Sequence, residues 1–377
     1  MTHVLIVDIN TFKYHLEYMF AGTGGARDVG FFSDNEIQLH WKTEASVVDM
    51  ISDISRIRIG DKIIFYVQAA NSSFGKFYGV FKAKSVPFYD SNEDNYLFEK
   101  LNKKLNFRVE IEPDTVFSKG ISEHVALDVL DGINHPSEMC WSLIYRKLKA
   151  NRGCTMITDY ESNKLIEKIA KENSGEILEG TSFTYDVKQG KIISTNQTKR
   201  YEGNKDSLSI KDRMFFKYRR GNAFEAHLQA YVVQSCLNSP LSEHLCINTE
   251  KTTWIGNEVS CGVGMQRIDI ATVQEDSHSV IINVIELKRC EPYSDIVNNQ
   301  LPWYIDWVKN YWCPLYADKE VIINPIVIAK KANKQISNDF YIISNNLVCL
   351  SQDNITVSAV KYIAFDIDED ITFEKVF

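Results

Sequence analysis

Three charged residues interrupt two apolar segments in the C-terminal half of the chain. Asp269 stands between two isoleucines, and Glu286 and Lys288 stand on either side of Leu287. Side chains two positions apart in a strand share a face, so Glu286 and Lys288 are expected to point the same way. Burying charged groups in a sheet costs free energy unless they pair or bind a cation. The pattern therefore indicates a metal site with Asp269 and Glu286 as oxygen ligands.

The residue types in this pattern favour a magnesium ion and phosphate chemistry. Carboxylate oxygens suit Mg²⁺, which keeps several waters and binds few carboxylates, and we expect Mn²⁺ to substitute for it. Lys288 is a natural partner for a metal-bound water or for the negative charge that develops on a scissile phosphate. The expected reaction is the hydrolysis of a phosphodiester bond.

Three further residues accompany these charges. Glu225 lies near the start of one predicted helix, and Gln300 and Tyr304 are four positions apart in another. Pro302 stands between them and fits best in the first turn of a helix. Each feature also has an ordinary explanation, because a first-turn carboxylate complements the helix dipole and residues four apart are neighbours on a helix. The order of the whole set is what points to a site.

In this order the residues resemble the PD-(D/E)xK nuclease superfamily. Glu225 matches the acidic residue of its first core helix, and Asp269 matches the Asp of its second motif. Glu286 and Lys288 match its Glu-x-Lys. The resemblance implies that Asp269 and Glu286 bind Mg²⁺ while Glu225 helps directly or through a water. It also implies that Lys288 orients the attacking water or stabilises the transition state.

The segment around Gln300 and Tyr304 resembles the Gln-x-x-x-Tyr motif of the RecB-like branch of that superfamily. By this resemblance Gln300 and Tyr304 support the strand or contact DNA. The closing segment of the chain is also similar to the nuclease core of NucS-type endonucleases and related restriction enzymes. Together these likenesses cover residues 211–377.

The elements that must position these residues follow an α/β rhythm. Apolar spacing predicts, in chain order, a helix at 222–236, strands at 267–273 and 280–287, a helix at 295–311 and a buried strand at 322–329. Just before them lies a basic and aromatic cluster in which Lys217, Arg219 and Arg220 are candidate DNA contacts. A solvated helix face is the alternative explanation of this cluster.

A bridge is predicted upstream of the nuclease-like region, at residues 156–210. Thr158 and Glu161 form a capping box for a helix that Gly175 ends. The polar stretch after it is expected to be a linker with at most a short hairpin.

The N-terminal region is predicted to be rich in strands. β-branched and aromatic runs lie at 4–7, 61–68, 76–84 and 107–111, and the second and third form a hairpin. The region resembles the EVE domain of the PUA-like superfamily over about residues 1–155. That resemblance implies a reader that holds a flipped, often modified base in an aromatic-lined pocket. The candidate pocket residues are Trp41, Phe77, Tyr78 and Trp141, for which a place in the core is the alternative.

Composition limits the classes of protein that the chain can be. It has 377 residues, 44% of them hydrophobic and 24% charged, which excludes disorder and fibrous repeats. With 42 Lys and Arg against 50 Asp and Glu, the formal charge is -8, so any basic surface must be local. The start of the chain shows neither a charged leader nor a long apolar segment, and the eight cysteines include no Cys-x-x-Cys pair. We therefore expect a cytoplasmic protein with reduced thiols.

The sequence as a whole predicts a chain of mixed α+β and α/β class. A PUA-like β-barrel domain is expected first, and a restriction-endonuclease-like α/β core follows, with a central mixed sheet flanked by helices. The expected function is that of a magnesium-dependent DNA endonuclease that restricts modified foreign DNA, such as phage DNA. Its partner would be double-stranded DNA, and cutting both strands calls for a homodimer. A NucS-like mismatch or structure-specific repair endonuclease, or an inactive nucleic-acid-binding protein, are the alternatives.

Overall fold

The chain forms two compact units in a computed structural model. The structure describes residues 1–24, 38–68, 74–91, 96–128, 132–143, 153–197, 199–223, 225–262 and 266–377. The first unit comprises Met1–Asn134 and Met139–Ser209, and the second comprises His135–Glu138 and Ile210–Phe377. Both units mix helices and strands, as the predicted fold class requires.

A mixed sheet organises the first unit. Its strands are β1 (Thr2–Val7), β2 (Phe20–Thr23), β3 (Lys62–Val67), β4 (Lys76–Ala83), β5 (Phe88–Tyr89), β6 (Phe107–Pro113), β7 (Ile121–Ser122) and β8 (Cys154–Ile157). The order along the sheet is β2-β6-β4-β3-β1-β8, with β5 on β6 and β7 on β4. β3 and β4 pair antiparallel, which confirms the predicted hairpin. Among the described strands, β2 and β8 stand at the two ends of this order and do not pair with each other.

The structure describes five α-helices in the first unit. They are α1 (Ile9–Glu17), α2 (Trp41–Ser55), α3 (Phe98–Leu101), α4 (Glu123–Leu127) and α5 (Asp159–Glu172). Four of the five begin at a side-chain cap, and α3 is the exception. The Asp8 carboxylate accepts the backbone N–H of Asn10 and of Thr11, each at 2.9 Å, and so starts α1. The predicted capping box of Thr158 and Glu161 is present at the start of α5.

The segment expected to be a bridge is part of the first unit. Leu165 and Ile169 of α5 pack into a buried apolar cluster with Val4 and Phe77. After α5 the chain forms a short antiparallel hairpin, β9 (Phe183–Asp186) and β10 (Lys191–Ser194). Tyr185 of this hairpin packs on Phe12 of α1 with ring centroids 4.9 Å apart. Although this region is polar in composition, it has an apolar face that is buried in the first unit.

The second unit is built on another mixed sheet. Its strands are β11 (Thr252–Ser260), β12 (Arg267–Glu275), β13 (Ser279–Lys288), β14 (Glu320–Lys330), β15 (Ile355–Val357), β16 (Lys361–Ile367) and β17 (Ile371–Lys375). The order is β11-β12-β13-β14-β16-β17, with β15 on β14. β11, β12 and β13 pair antiparallel in sequence, whereas β13, β14 and β16 run parallel. The predicted strands at 267–273, 280–287 and 322–329 are confirmed, and β11 is an additional one.

Helices of the second unit cover this sheet. They are α6 (Lys211–Arg219), α7 (Glu225–Ser235), α8 (Leu241–His244), α9 (Leu301–Tyr311) and α10 (Lys334–Ile343). Leu228 and Val232 of α7 pack in one apolar cluster with Ile285 and Leu287 of β13. A π-helical turn, Ile296–Gln300, leads directly into α9. No helix of the described residues is long and apolar enough to cross a membrane, and no disulfide joins the eight cysteines.

Candidate active site

Asp269 lies where the hydrogen-bonded pairing of β12 with β13 stops. The last paired residues are Ile270 and Ile285, and continuing that register places Asp269 opposite Glu286. One Asp269 oxygen accepts the backbone N–H of Leu287 at 2.7 Å. The Asp269 carboxylate therefore accepts a backbone N–H at the point where the pairing of β12 with β13 ends. This hydrogen bond fixes the position of the carboxylate beside Glu286.

Glu286 and Lys288 share one face of β13, as the alternation predicted. Ile285 and Leu287 face the apolar cluster on the opposite side of the sheet. The Lys288 ammonium donates to one carboxylate oxygen of Glu286, forming an ion pair with little exposure to solvent. The other oxygen, Glu286 Oε2, is buried and has no hydrogen-bond partner among the described residues. The structure thus brings Asp269, Glu286 and Lys288 together.

Electrostatics at this place show an excess of negative charge. Burial and the nearby Glu286 carboxylate raise the pKa of Asp269 well above its ordinary value, although the Leu287 N–H opposes the shift. Burial alone would lower the pKa of Lys288, but the Glu286 carboxylate outweighs it and raises the value to about 12. Lys288 is therefore a fixed cation at neutral pH, and one cation does not balance the neighbouring carboxylates.

Glu225 adds a third carboxyl group to this neighbourhood. It is the first residue of α7 and is partly buried. Burial raises its pKa, Lys288 and the backbone N–H of Arg289 lower it, and Glu286 raises it further. These influences place Glu225 close to the end of β13, as the predicted site requires.

Gln300 and Tyr304 lie at the junction between the π-helical turn and α9. Pro302 occupies the first turn of α9, where its missing N–H costs nothing. The Gln300 side chain lies near the Tyr304 hydroxyl and acts to lower the pKa of Tyr304. Burial raises the pKa of Tyr304, with further contributions from Glu286 and Asp269, so this pair lies near the carboxylates. Gln300 Oε1 is buried and has no partner among the described residues.

The donor set fits a divalent cation held by two carboxylates. In the part of the chain that the structure describes, no three His, Cys, Asp or Glu side chains are grouped to hold one metal ion, so Glu225 is not placed as a third direct ligand. Asp269 and Glu286 nevertheless offer carboxylate oxygens, one of them buried without a partner. Mg²⁺ suits such a pair because it retains water in its remaining positions.

Sequence reasoning missed Gln229, which supports the site from α7. Its Nε2 donates to the backbone carbonyl of Asp269 at 3.1 Å, and its Oε1 accepts from Asn257 of β11 at 3.2 Å. Gln229 follows Glu225 by one helical turn, so both residues lie on the same face of α7. That spacing was the available signal, and only the strand pairing shows that the face meets β12.

The basic cluster lies on α6 and at its C-terminal end, and some of its residues are buried while others are exposed. Lys217 is only 3% exposed, so the structure does not present it to DNA as we expected. Arg219 and Arg220 are exposed. Their guanidinium groups lie over Phe215 and Phe216, at 5.5 and 4.6 Å from the ring centroids. Two of the three predicted DNA contacts therefore remain available at the surface.

The four aromatic residues predicted to wall a base pocket do not come together. Phe77 and Tyr78 are consecutive in β4 and therefore point to opposite faces of the sheet. Both are buried: Phe77 packs against Tyr66, and Tyr78 packs between Phe12 and Tyr185. Their strand is a core strand, which explains their aromatic character without a ligand.

The two tryptophans of that prediction lie elsewhere in the first unit. Trp41 is the first residue of α2 and is 57% exposed, with the Lys42 ammonium 5.3 Å from its ring centroid. Trp141 is partly buried, and its neighbour Cys140 belongs to the apolar cluster around Val4.

A cavity of about 170 Å³ does exist in the first unit, at a place that the sequence did not indicate. None of the four predicted aromatic residues lines it. Its polar wall comes from the ends of β1, β2 and β3, from α1 and from the loop before β6. The polar lining residues are Asp8, Thr11, His15, Thr23, Gln68 and Lys103.

No protein-family model and no curated protein matches the chain. Among solved structures it is similar to a hypothetical protein from Leishmania major, with 10% identity and a TM-score of 0.30, over 45% of this chain and 95% of that one. A protein from Pseudomonas putida has 11% identity and a TM-score of 0.27, over 45% and 99% of the two chains. Human THYN1 protein, in complex with DNA containing 5-methylcytosine, has 11% identity and a TM-score of 0.23, over 44% and 95%. Likeness at these values carries no argument about function.

Proposed function

We propose that the chain is a magnesium-dependent DNA endonuclease whose active site is formed by Asp269, Glu286 and Lys288. The observation that carries the proposal is the bond from the Leu287 N–H to Asp269, which holds this carboxylate beside Glu286 and Lys288. Burying two carboxylates and one lysine at the ends of neighbouring strands costs folding free energy. A structural role alone therefore does not explain the presence of these three residues. The resemblance of the same residues to the PD-(D/E)xK superfamily supports the proposal.

Asp269 and Glu286 would hold the metal ion through their carboxylate oxygens. When bound, Mg²⁺ would act as a Lewis acid on a phosphate and make water a better nucleophile. The raised pKa of Asp269 means that its ionised form is unfavourable in the protein alone. A bound cation would compensate the repulsion from Glu286 and so favour the ionised form.

The remaining residues would act on the phosphate and the water. Lys288 keeps its proton at neutral pH and would stabilise the negative charge that develops on the scissile phosphate. Glu225, with its raised pKa, would accept a hydrogen bond from a water, which is the water-mediated role that its position allows. Gln300 and Tyr304, which lie near the carboxylates, would support this edge of the sheet or contact DNA.

The biological substrate that we propose is double-stranded DNA carrying a modified base. The first unit would read the base, and Arg219 and Arg220 of the second unit would contact the phosphate backbone. Restriction of modified foreign DNA would follow from that combination, with a homodimer cutting both strands.

The test is cleavage of matched plasmid and phage DNAs by the purified full chain with Mg²⁺ or Mn²⁺. The DNAs carry unmodified, methylated, hydroxymethylated or glucosylated cytosine. We expect cleavage of modified DNA, and its loss in the Asp269→Ala, Glu286→Ala double variant. The matched control is Glu275→Gln, which changes a carboxylate at the opposite end of β12 and is expected to leave cleavage intact.

The outcomes separate the competing functions. Cleavage regardless of modification would keep the nuclease and remove the modified-base specificity. Cleavage of mismatched or branched duplexes alone would favour the repair endonuclease. Metal-independent binding without cleavage of any of these DNAs would overturn the proposal in favour of an inactive nucleic-acid-binding protein.

A further inference from the structure

An acidic turn joins the last two strands of the second unit. It spans residues 366–370, from the end of β16 to the residue before β17, and four of its five residues are acidic. All four side chains are exposed. They are Asp366, Asp368, Glu369 and Asp370. The turn therefore concentrates negative charge at one place on the surface of this unit.

Apolar packing holds the acidic turn beside α6. Met214 of α6 is buried in one apolar cluster with Phe365 of β16 and Ile371 of β17, the strands that flank the turn. Tyr218 of α6 also packs edge-on against Phe365, with ring centroids 6.2 Å apart. The apolar core thus sets the position of the turn, which does not depend on the charges of the turn.

The folding of the hairpin does not explain the charge of the acidic turn. Asp366 and Asp370 each accept the backbone N–H of the next residue, at 2.9 and 2.7 Å. An uncharged asparagine oxygen would accept the same bonds. The side chains of Asp368 and Glu369 make no hydrogen bond or ion pair with any other described residue. The negative charge therefore has to act on something other than the hairpin.

The acidic turn contacts basic residues at both ends of α6. Lys211, the first residue of the helix, forms an ion pair with Asp370 at 2.9 Å. Arg219, the last residue, donates to the backbone carbonyl of Asp368 at 3.3 Å. The hydrogen-bonded ion pair raises the pKa of Lys211 and lowers that of Asp370, so both groups are charged at neutral pH. The turn thus lies along the helix whose C-terminal end carries the candidate DNA contacts.

A phosphate group can replace the carboxylate at Lys211. The side chains of Lys211 and Asp370 are 42% and 61% exposed, and ion pairs in such positions contribute little to stability. Carboxylates and phosphates both accept charged hydrogen bonds through anionic oxygens. A phosphate contact also releases counterions from DNA, a gain that the carboxylate does not provide. DNA is therefore a stronger partner for Lys211 than Asp370 is.

We propose that the acidic turn is an autoinhibitory element that competes with the DNA backbone for α6, with the Asp370 carboxylate in the place of a phosphate at Lys211. The inference deepens the proposed function, on which it rests for the assumption that the partner is DNA. Its effect falls on sequence-independent binding, because carboxylates repel every phosphate alike. The turn would thereby weaken the binding of any duplex that makes no further contacts with the chain.

The experiment is fluorescence anisotropy of one unmodified duplex with the full chain in EDTA, where no divalent cation supports cleavage. Wild type and Asp370→Asn are compared at roughly 50 to 200 mM salt. Asparagine keeps an oxygen for the Ile371 N–H, so the turn should retain its shape. We expect Asp370→Asn to bind more tightly at low salt, and its slope of log K against log salt to be steeper by about 0.9, one phosphate contact. Its advantage over wild type should then shrink by about three- to fourfold across this range of salt.

Two further variants separate competition at Lys211 from a change in net charge. Lys211→Met alone should change the slope little, because Asp370 already engages this lysine. Combined with Asp370→Asn, it should remove the gain. Glu275→Gln is the matched control, since it makes the same change of charge at the opposite end of the sheet, where Glu275 pairs with Lys319. This control should bind DNA as wild type does.

Three outcomes would overturn the inference. The first is an unchanged affinity and slope in Asp370→Asn, or no DNA binding by any of these proteins. The second is a gain that persists when Lys211 is also replaced. The third is an equal gain in Glu275→Gln, which would reduce the effect to net charge. Because no cleavage is measured, these results are independent of the Asp269 and Glu286 variants, and loss of cleavage in those variants says nothing about the acidic turn.

Discussion

The backbone N–H of Leu287 and the carboxylate of Asp269 are joined by a 2.7 Å hydrogen bond just beyond the last paired residues of β12 and β13. This bond places Asp269 against the peptide that joins Glu286 to Leu287. A carboxylate held in this way cannot turn away from Glu286 when both are ionised. The repulsion between them is the physical basis of the metal site that we propose and of the first two predictions.

Replacing Asp269 with Asn is expected to stabilise the second unit when no divalent cation is bound. The raised pKa of Asp269 means that stability falls as pH rises above about 3.9, the ordinary value for Asp, because the folded state holds a proton that the unfolded state has lost. At pH 7 in EDTA, Asp269→Asn should therefore raise Tm by about 2 to 4 °C for each kcal/mol regained. Added Mg²⁺ should reverse the order, since only the wild type gains binding free energy.

The control for this measurement is Asp276→Asn. The Asp276 carboxylate accepts the backbone N–H groups of His278 and Ser279 and pairs with Lys251, and these contacts lower its pKa. Its ionised form stabilises the fold at pH 7, so this variant should lower Tm with or without Mg²⁺. A lower Tm for Asp269→Asn in EDTA would contradict the excess negative charge at the site.

Lys288→Met is expected to separate catalysis from metal binding. Loss of its cation removes stabilisation of the transition state, for which a reduction of about 10²- to 10³-fold in the cleavage rate is typical. The Glu286 carboxylate loses its ion-pair partner, so Mn²⁺ binding should be as tight as in the wild type or tighter. Single-turnover cleavage and Mn²⁺ titration measure the two effects. Lys319→Met, which breaks the ion pair with Glu275 at the other end of the sheet, is the control and should cleave normally.

The sequence predicted which elements carry these residues because strand alternation and chain order are local properties. Glu286 and Lys288 are two positions apart, and period two alone places them on one face of β13. Period 3.6 likewise predicted the helices that carry Glu225 and Tyr304. Gln229 was missed because its contacts, Asp269 and Asn257, belong to strands whose pairing the sequence does not specify.

The first unit was harder to predict because its aromatic sequence pattern is compatible with two different roles. Phe77 and Tyr78 lie in a run that suits a binding surface and a core strand equally, and the structure buries both. His15 gave no signal, since a single histidine in an amphipathic helix is ordinary. Its burial and the Phe20 carbonyl at its Nδ1 both depend on how α1 packs against the sheet.

Gln229→Ala should weaken metal binding although Gln229 is not expected to touch the metal. The loss of its bonds to the Asp269 carbonyl and to Asn257 frees the backbone that positions the Asp269 carboxylate. Changes of this kind typically cost about 10- to 100-fold in metal affinity. The Mg²⁺ concentration at half-maximal cleavage measures the effect. Gln234→Ala is the matched control, because Gln234 lies on the same helix but accepts the backbone N–H of Ile210 instead. Equal half-saturation values in both variants would exclude the positioning role.

The first unit should lose stability in mild acid because of His15. Burial lowers its pKa from 6.5 to about 4, so the unfolded state binds a proton first as pH falls through this interval. Stability is therefore complete above pH 6.5 and falls towards pH 4, with a slope of at most about 1.4 kcal/mol per pH unit for this group. Urea unfolding at a series of pH values measures the slope. His15→Phe should make it shallower, while His124→Phe should not. Burial also lowers the pKa of His3, so some slope should remain.

Arg219 and Arg220 are expected to bind the DNA backbone through charge alone. Both are exposed at the end of α6, and the rings of Phe215 and Phe216 hold their guanidinium groups in place. Each lost phosphate contact reduces the slope of log K against log salt by about 0.9, so Arg219→Ala, Arg220→Ala should reduce it by up to about 2.

Fluorescence anisotropy with one duplex at roughly 50 to 200 mM salt measures this slope. Asp269→Asn serves as the background for every protein in the series, so that cleavage does not interfere. Lys217→Met is the control within α6, because this lysine is buried and its loss should lower stability without changing the slope. If Lys217→Met changes the slope as much as the arginine variants do, the exposed pair is not the phosphate-binding surface. An unchanged slope in the double arginine variant would place the DNA contacts on other elements of the second unit.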